Sequence, residues 1–329
     1  MSEWHQLRKE KAVQTAVGAP VRVAVASGKG GTGKTTVAVS LTLVLRPRLG
    51  VQLLDLDVEE PNAHLLLRPR LEHSSDATVP VPEVDPERCR RCGRCGEVCA
   101  YGAIGVFGQA VLVFPELCHG CGGCSLLCPS GAIAERPRKV GTVEWGEGFA
   151  HGRLEPGEAL APPVGRAVLD RQDPKADLIL IDAPPGTSCP VVEAVRGADF
   201  CLLVTEPTPF GLHDLELAAE MTRCLGLRAG VIINREDTGD TKWAERVRGL
   251  CAEAGLEVLA GLPHDRAVAE AYARGRPAAR VSAVWRRRFE VLAERVLRAA
   301  GVEPRGEVTG HGEDDSTRAG RRERQGRHG

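Results

Sequence analysis

The sequence predicts an α/β fold in which helices cover both faces of a parallel sheet, with a smaller α+β unit inserted into it. Six short, continuous apolar runs recur along the chain, and helical patterns separate the later ones. Continuous apolar runs are typical of strands buried on both faces, and strand–helix alternation is typical of parallel sheets. A cysteine-rich repeat breaks this rhythm and predicts the inserted unit.

Length and composition exclude several classes of protein. The chain has 329 residues, 43% of them hydrophobic and 26% charged, which is typical of globular proteins of one large or two modest domains. The formal net charge of −1 provides no bulk field for nucleic acid or an anionic membrane, so we expect neither as a partner. No apolar run reaches the roughly 18 residues of a spanning helix, and the first twenty residues lack a signal-peptide core. We expect a cytoplasmic protein.

The apolar runs define the elements and the domain boundaries. The predicted strands are Val21–Ala26 and residues 51–54, 178–181, 200–204, 230–233 and 258–262, and residues 36–45 are the first predicted helix. We expect an N-terminal extension at residues 1–20, a large domain formed by residues 21–79 and 140–301, and an insert at residues 80–139. Residues 302–329 are charged and glycine-rich, and we expect a disordered tail there.

A glycine-rich loop lies between the first strand and the first helix. Residues 28–35 read GKGGTGKT and fit the phosphate-loop pattern G-x-x-x-x-G-K-[ST]. Its backbone N–H groups and the helix N-terminus favour phosphate, and we expect Lys34 to reach the β- and γ-phosphates and Thr35 to bind Mg²⁺. The predicted ATP-binding residues of this loop are Gly28, Lys29, Gly30, Gly31, Thr32, Gly33, Lys34, Thr35 and Thr36.

The lysine at position 29 makes this loop more specific. GKGGTGKT resembles the deviant Walker A motif of the MinD/ParA superfamily of ATPases, which includes the nitrogenase iron protein and the Mrp-type ATPases. In that superfamily the early lysine reaches the phosphates of the other subunit. The resemblance therefore implies that Lys29 is catalytic together with Lys34, and that the chain forms a homodimer when ATP is bound.

Two acidic motifs extend this resemblance. The sequence LDLD at residues 54–57 resembles switch I of the superfamily, and LIDAPPG at residues 180–186 resembles Walker B followed by switch II. The resemblance implies that Asp57 positions the attacking water and that Asp182 holds a Mg²⁺-bound water. Thr35, Asp57 and Asp182 are thus the predicted Mg²⁺ site.

The predicted adenine contacts are weaker signals. Asn234 and Arg235 follow one predicted strand, and Pro263 and Asp265 follow the next, at positions where the superfamily contacts adenine. For Asn234, a structural role in a turn is an equal alternative.

The cysteine repeat has the spacing of bacterial ferredoxins. C-x₂-C-x₂-C-x₃-C occurs twice with a period of 29 residues, and in this pattern the fourth cysteine ligates the cluster of the other run. Zinc is the alternative, but it usually takes two separated pairs of ligands. The first predicted [4Fe–4S] cluster uses Cys89, Cys92, Cys95 and Cys128, and the second uses Cys99, Cys118, Cys121 and Cys124.

Charged residues differ between the two cysteine runs. Arg88, Arg90, Arg91 and Arg94 surround the first run, whereas the second has Glu116 and His119 nearby. Because nearby cations favour the added electron, we expect the higher reduction potential at the first cluster. The alternatives are a solvated face or a docking face for an acidic redox partner.

The insert lies between switch I and Walker B. This layout resembles MinD-superfamily ATPases that contain an inserted ferredoxin domain, and the resemblance covers roughly residues 21–300. It implies a Mg-ATP-hydrolysing protein with two [4Fe–4S] clusters that gates electron transfer to a partner of unknown identity. The alternatives are an iron–sulfur cluster or metal carrier in maturation, and a positioning ATPase whose clusters sense redox state.

Overall fold

The computed structural model describes residues 19–302 and contains one large sheet and one small one. The predicted N-terminal extension up to residue 18 and the predicted tail beyond residue 302 lie outside the described residues. In chain order the strands are β1 (Val21–Ala26), β2 (Val51–Asp55), β3 (His73–Val84), β4 (Ile104–Phe107), β5 (Ala110–Val113), β6 (Ile133–Gly146), β7 (Phe149–Leu154), β8 (Leu178–Asp182), β9 (Phe200–Thr205), β10 (Ala229–Asn234) and β11 (Glu257–Leu262).

Helices connect the strands of the large sheet and cover it. In chain order they are α1 (Lys34–Leu45), α2 (Ala63–Leu67), α3 (Arg94–Val98), α4 (Gly123–Leu126), α5 (Ala161–Leu169), α6 (Cys189–Val195), α7 (Pro209–Leu225), α8 (Thr241–Glu253), α9 (Arg266–Ala273) and α10 (Ala283–Ala300). No helix within residues 19–302 is long and apolar enough to span a bilayer.

The large sheet has nine strands in the order β11-β10-β9-β1-β8-β2-β7-β6-β3. The seven strands from β11 to β7 are parallel, which confirms the predicted α/β class. The last two strands, β6 and β3, are antiparallel and depart from the predicted parallel sheet. A mixed sheet of this kind needs no crossover helix at its antiparallel edge, because hairpins connect such strands.

Two hydrophobic clusters form the core, one on each face of the sheet. On one face α1 and α10 pack together, and Leu41 and Phe289 are fully buried there. On the other face lie α5, α6, α7 and α8, with Val164 and Val191 fully buried. Truncating a buried phenylalanine such as Phe289 to alanine costs about 3–5 kcal/mol, so α10 contributes substantially to the stability of the sheet.

The cysteine repeat lies in a small unit at the end of a long antiparallel ribbon. Strands β3 and β6 pair from His73 opposite Trp145 to Val84 opposite Ile133. Residues 85–132 lie beyond that last pair and contain the separate β4–β5 hairpin, which turns at Gly108 and Gln109. The unit is shorter than the predicted insert at residues 80–139, because both arms of the ribbon continue the large sheet. We call residues 85–132 the cysteine unit.

Candidate functional site

The glycine-rich loop connects β1 to α1 at the carboxyl ends of the parallel strands. Gly33 has a positive φ of 99°, which favours glycine, and it directly precedes the first helical residue, Lys34. A Cβ atom on Gly33 would lie 2.5 Å from Nδ2 of Asn234. The same Nδ2 atom donates a hydrogen bond of 2.7 Å to the carbonyl oxygen of Thr32. Asn234 therefore anchors the loop from the end of β10.

A pocket with a volume of about 630 Å³ opens beside this loop. Open parallel sheets bind ligands outside the carboxyl ends of their strands, and this pocket lies there. The predicted site residues that line it are Gly30, Gly31, Gly33, Lys34, Thr35, Thr36, Asp57, Asn234, Arg235, Pro263 and Asp265. The structure thus brings together residues from four separate strand ends.

Four predicted residues do not line the pocket. Gly28 packs against the backbone of Asp214, where a Cβ atom would lie 2.2 Å from the carbonyl oxygen. Thr32 and Asp182 are buried. The Lys29 ammonium forms an ion pair with Glu206.

Lys34 is buried among three aspartates. The whole residue is 6% exposed to solvent. Burial lowers the pKa of Lys34, although the charges of Asp182, Asp57 and Asp55 raise it. An ammonium group at this position suits contact with phosphate oxygens, because charge-assisted hydrogen bonds to phosphate are strong.

Asp182 is the clearest sign of a cation site. Both of its carboxylate oxygens are buried, and no residue between 19 and 302 donates a hydrogen bond of normal geometry to them. Burial raises the pKa of Asp182 to about 7, although the nearby Thr35 hydroxyl and Lys34 lower it. A buried carboxylate without a partner is costly, and a divalent cation with oxygen ligands relieves that cost. Thr35, Asp57 and Asp182 fit Mg²⁺, which prefers such ligands.

Asp55 is a functional residue to which the sequence motif assigned no role. It is fully buried at the end of β2, beside Asp182 in the neighbouring strand β8. Its carboxylate accepts hydrogen bonds from the backbone N–H groups of Asp57 at 3.1 Å, Asn62 at 3.1 Å and Ala63 at 3.0 Å. Burial and the charge of Asp182 raise the pKa of Asp55 well above its usual value. Asp55 therefore shapes the segment that carries Asp57.

Asp265 lines the pocket, but its carboxylate is engaged elsewhere. One oxygen accepts a hydrogen bond of 2.8 Å from the backbone N–H of Ala267, at the start of α9. The other accepts a hydrogen bond of 2.7 Å from the indole N–H of Trp285. These donors hold the pKa of Asp265 below its usual value. In this structure Asp265 is a helix cap that joins α9 to α10 at the rim of the pocket.

The eight clustered cysteines surround two separate pockets in the cysteine unit. One pocket, of about 340 Å³, is lined by Cys89, Cys92, Cys95 and Cys128. The other, of about 410 Å³, is lined by Cys99, Cys118, Cys121 and Cys124. Each pocket therefore combines three cysteines of one run with the fourth cysteine of the other run. We call them the first and the second cysteine pocket.

The two fourth cysteines have matching backbone environments. The N–H of Ala103 donates to Sγ of Cys99 at 3.3 Å, and the N–H of Ala132 donates to Sγ of Cys128 at 3.3 Å. Partial burial raises the pKa of each thiol, but hydrogen bonds from several backbone N–H groups lower it by a larger amount. The net pKa of each thiol is therefore below its usual value. The thiolate is the form that ligates metals, so these environments favour ligation.

Side chains of opposite charge line the two cysteine pockets. Arg90, Arg91 and Arg94 line the first pocket. Glu135 and His119 line the second. Within residues 19–302, no three His, Cys, Asp or Glu side chains converge closely enough to hold a single metal ion.

Comparison with known proteins identifies the large domain. Residues 23–278 match the CobQ/CobB/MinD/ParA nucleotide binding domain. An uncharacterized protein of Methanocaldococcus jannaschii is 27% identical over 260 residues, which are 77% of this chain and 89% of that protein. Among solved structures, the septum site-determining protein MinD complexed with Mg-ADP from Pyrococcus horikoshii has a TM-score of 0.53 and 21% identity, covering 86% of this chain and 98% of its own.

A second solved structure supports the same fold. An aspartate-to-alanine variant of McdA from Cyanothece, in complex with ATP, has a TM-score of 0.51 and 18% identity, covering 87% of this chain and 98% of its own. The family match extends over more than half of the chain and includes both the phosphate loop and Asp182. The chain belongs to the CobQ/CobB/MinD/ParA family of nucleotide-binding domains.

Proposed function

We propose that this protein is a Mg-ATP-hydrolysing ATPase that dimerises on binding ATP, carries two [4Fe–4S] clusters and gates electron transfer to a partner. The observation that carries the proposal is the crossed grouping of the cysteines. Cys128 joins the first run and Cys99 joins the second in their respective pockets. This is the exchange of fourth ligands that two-cluster ferredoxins make.

The grouping of the cysteines supports clusters over single zinc ions. A zinc site usually takes two separated pairs of ligands, whereas each pocket here combines three cysteines of one run with one cysteine of the other. A bound cluster would supply reversible one-electron chemistry. Four cysteines would hold each cluster, and N–H groups such as those of Ala103 and Ala132 would tune its reduction potential.

The nucleotide pocket supplies the groups that phosphoryl transfer requires. Lys34 and the loop N–H groups neutralise phosphate charge, and Thr35 and Asp182 hold Mg²⁺. Asp57, whose pKa is raised by burial and lowered by Lys34, faces the pocket and orients the attacking water. Lys29 reaches the phosphates of the second subunit, which makes hydrolysis dependent on the dimer.

The large sheet connects the two sites. Asp55 and Asp57 lie at the end of β2, and Asp55 is level with His151 in the neighbouring strand β7. His151 is in turn opposite Glu144 in β6, with 3.3 Å between Nε2 of His151 and Oε2 of Glu144. Strand β6 continues into the arm that carries the cysteine unit. Strand β7 therefore lies between β2, which leads into switch I, and the ribbon formed by β6 and β3.

An anaerobic redox titration followed by electron paramagnetic resonance tests the proposal. The reconstituted protein is titrated with MgATP and then with MgADP, and Lys34→Ala is the matched control. We expect iron and sulfide for two clusters, with reduction potentials that shift between the two nucleotides in the wild type only. Protein without clusters would overturn the iron–sulfur assignment. Potentials indifferent to nucleotide would argue against gating and favour a role in cluster delivery.

The likeness to MinD and McdA favours a second candidate, a positioning ATPase with redox-sensing clusters. Both structures share the fold over more than four-fifths of this chain. ATP-dependent sedimentation with lipid vesicles or DNA distinguishes this candidate. Binding that depends on ATP and on the oxidation state of the clusters would favour it over electron delivery.

A further inference from the structure

The cysteine unit exposes more apolar side chains than the rest of the protein. Residues 19–302 include fifteen exposed large hydrophobic residues, and eight of them lie within residues 98–127. They are Val98, Tyr101, Phe107, Leu112, Phe114, Leu117, Leu126 and Leu127. Isolated exposed apolar residues are ordinary, but such a concentration in one small unit indicates an interaction surface.

The first cysteine pocket also has a positively charged rim. Arg88, Arg90, Arg91 and Arg94, which we call the arginine rim, are all exposed, and the last three line the pocket. None of them forms an ion pair with another residue between 19 and 302. Their charges are therefore available to a partner.

Backbone contacts fix two members of this rim. The Arg91 guanidinium donates a hydrogen bond of 2.9 Å to the carbonyl oxygen of Gln109, and Arg91 has a positive φ of 55°. The Arg88 guanidinium donates a longer hydrogen bond of 3.4 Å to the carbonyl oxygen of Ser130. Arg90 and Arg94 make no such contacts with the described residues. The rim thus combines two positioned guanidinium groups with two free ones.

Apolar and charged features meet beside the same pocket. Leu126 is 85% exposed and Leu127 is 51% exposed, and they directly precede Cys128, which lines the first pocket. Cys92 of that pocket is also exposed. Helix α4, which carries Leu126, packs against helix α3, which carries Arg94. A partner that covers both helices would contact leucine and arginine side chains together and approach the ligands of the first cluster. Arginine with large apolar residues is the composition of protein–protein interfaces.

The second pocket does not share this charge. Glu135 and His119 line it, and a Cβ atom on Gly122 would lie 3.3 Å from Oε1 of Glu135. An acidic partner is therefore attracted to the first pocket and not to the second. Cations near the first cluster also stabilise the added electron there. The face that attracts an acidic partner is therefore the face beside the cluster on which the electron is more stable.

We infer that the arginine rim, together with Leu126 and Leu127, is the docking surface for an acidic one-electron carrier protein that accepts an electron from the first cluster. This inference rests on the proposed function. The carrier gains one electron and the protein loses one, with no bond formed and no proton moved. Nucleic acid fits less well, because non-specific binding needs many phosphate contacts and the chain has a net charge of −1.

Two measurements on Arg90→Glu/Arg94→Glu test the inference. The first is stopped-flow oxidation of the dithionite-reduced protein at low ionic strength by trioxalatocobaltate(III), a trivalent anion, and by hexaamminecobalt(III), a trivalent cation. The second is the fluorescence anisotropy of a labelled oligoglutamate peptide, which does not depend on electron transfer. Arg196→Glu/Arg298→Glu is the control, because it changes net charge equally at exposed arginines of the large domain.

We expect the double reversal to slow oxidation by the anion about 3- to 10-fold, to speed oxidation by the cation, and to weaken peptide binding by a similar factor. Electrostatic steering changes association rates by about 10- to 1,000-fold over a whole surface, so two residues account for part of that range. The control should change each quantity less than twofold, and added salt should remove the difference.

Three outcomes would overturn the inference. Oxidation indifferent to acceptor charge in a wild type that holds both clusters would remove docking at this surface while leaving the proposed function intact. Equal effects of the test and control variants would show that the electrostatic field of the whole protein, and not the arginine rim, controls the rates. Tighter binding of a DNA oligonucleotide than of oligoglutamate would indicate nucleic acid as the partner. Iron and sulfide analysis of each variant separates these outcomes from loss of the clusters.

Discussion

Lys29 and Glu206 form an ion pair, with 3.6 Å between Nζ of Lys29 and Oε2 of Glu206. The carboxylate of Glu206 also pairs with Arg235, which lines the nucleotide pocket. Lys29 itself does not line that pocket, although its neighbours Gly30 and Gly31 do. In the isolated chain this lysine is thus held by a carboxylate of its own subunit. Reaching a second subunit requires this ion pair to break.

Glu206→Gln should therefore make ATP-dependent dimerisation easier. A partly exposed ion pair of this kind contributes about 0.2–1 kcal/mol, which corresponds to a decrease of up to about fivefold in the ATP concentration at half-maximal dimer. Size-exclusion chromatography with light scattering across an ATP series measures it. Glu294→Gln, which removes the surface pair with Arg48, is the control. A Glu206→Gln variant that dimerises less readily would show that Glu206 supports the dimer.

Lys29→Ala should abolish most ATP hydrolysis while leaving nucleotide binding by the monomer nearly unchanged. The reason is that Lys29 does not line its own pocket, and we propose that it acts on the phosphates of the partner subunit. Steady-state phosphate release and the binding of a fluorescent ADP analogue measure the two properties separately. Turnover equal to that of the wild type would remove the claim that a dimer completes the site.

Lys34→Ala should abolish ATP hydrolysis and leave the iron–sulfur absorbance unchanged. Lys34 lies in the nucleotide pocket, whereas all eight clustered cysteines lie in the cysteine unit. Phosphate release and the visible absorption spectrum of the same preparation measure both. Loss of both signals in one variant would show that the two sites are not structurally independent.

Asp182→Asn should stabilise the nucleotide-free protein as the pH rises. Burial raises the pKa of Asp182 to about 7 from the usual 3.8. A carboxyl group whose pKa is higher in the folded than in the unfolded chain contributes stability below about pH 4 that is lost as the pH rises through about 7. The Tm of the variant minus that of the wild type should therefore increase between about pH 5 and pH 8.

Control experiments make this prediction specific to Asp182. The variant Asp170→Asn, which removes an exposed carboxylate, is the matched control. Asp55, whose pKa is also raised by burial, keeps part of the pH dependence in both proteins. Added Mg-ATP should restore the stability of the wild type but not of Asp182→Asn. A Tm difference that is constant with pH would contradict the raised pKa.

Cys128→Ser should remove the first cluster and preserve most of the second, although the mutated residue belongs to the second cysteine run. The reason is that Cys128 lines the first pocket with Cys89, Cys92 and Cys95. Cys99→Ser should have the opposite effect, and Cys224→Ser, an exposed thiol on α7, should leave both clusters. Iron and sulfide analysis with electron paramagnetic resonance measures each. Loss of the second cluster alone in Cys128→Ser would exclude the crossed arrangement.

The buried strands could be predicted because each is a continuous apolar run. Four strands extend beyond the predicted run by a polar residue, namely Asp55, Asp182, Thr205 and Asn234. All four side chains lie at the carboxyl ends of the strands, and all but Asn234 are buried. A polar residue at the end of an apolar run thus interrupts the hydrophobic pattern but not the strand, and several of these residues belong to the site.

The antiparallel part of the sheet could not be predicted from periodicity. Strand β3 contains Pro80 and Pro82, and β6 contains Pro137, and proline normally argues against a strand. These prolines are tolerated because no other strand among residues 19–302 pairs with this stretch of the ribbon. Strand β7 contains Gly152, where a Cβ atom would lie 2.7 Å from Val164 of α5. Close packing of a helix explains this glycine, and only tertiary structure reveals it.

At the site too, contacts between distant parts of the chain could not be predicted from the sequence. The glycines, Lys34 and Thr35 were recognisable because the phosphate loop is continuous in sequence. The hydrogen bond from Asn234 to Thr32 joins residues that are 202 positions apart, and no local pattern indicates it. Asp265 lines the pocket, but its hydrogen bonds with Ala267 and Trp285 depend on how α9 and α10 meet.

The ribbon formed by β3 and β6 makes the cysteine unit a replaceable module. The chain leaves the large domain at Val84 and returns at Ile133, which are paired neighbours, and the N–H of Asp85 donates a hydrogen bond of 2.8 Å to the carbonyl oxygen of Ala132. A short turn could join these strands without altering any pairing in the sheet. The module can therefore be lost or exchanged in one genetic event. By the same route, a different domain can be engineered onto the end of the ribbon.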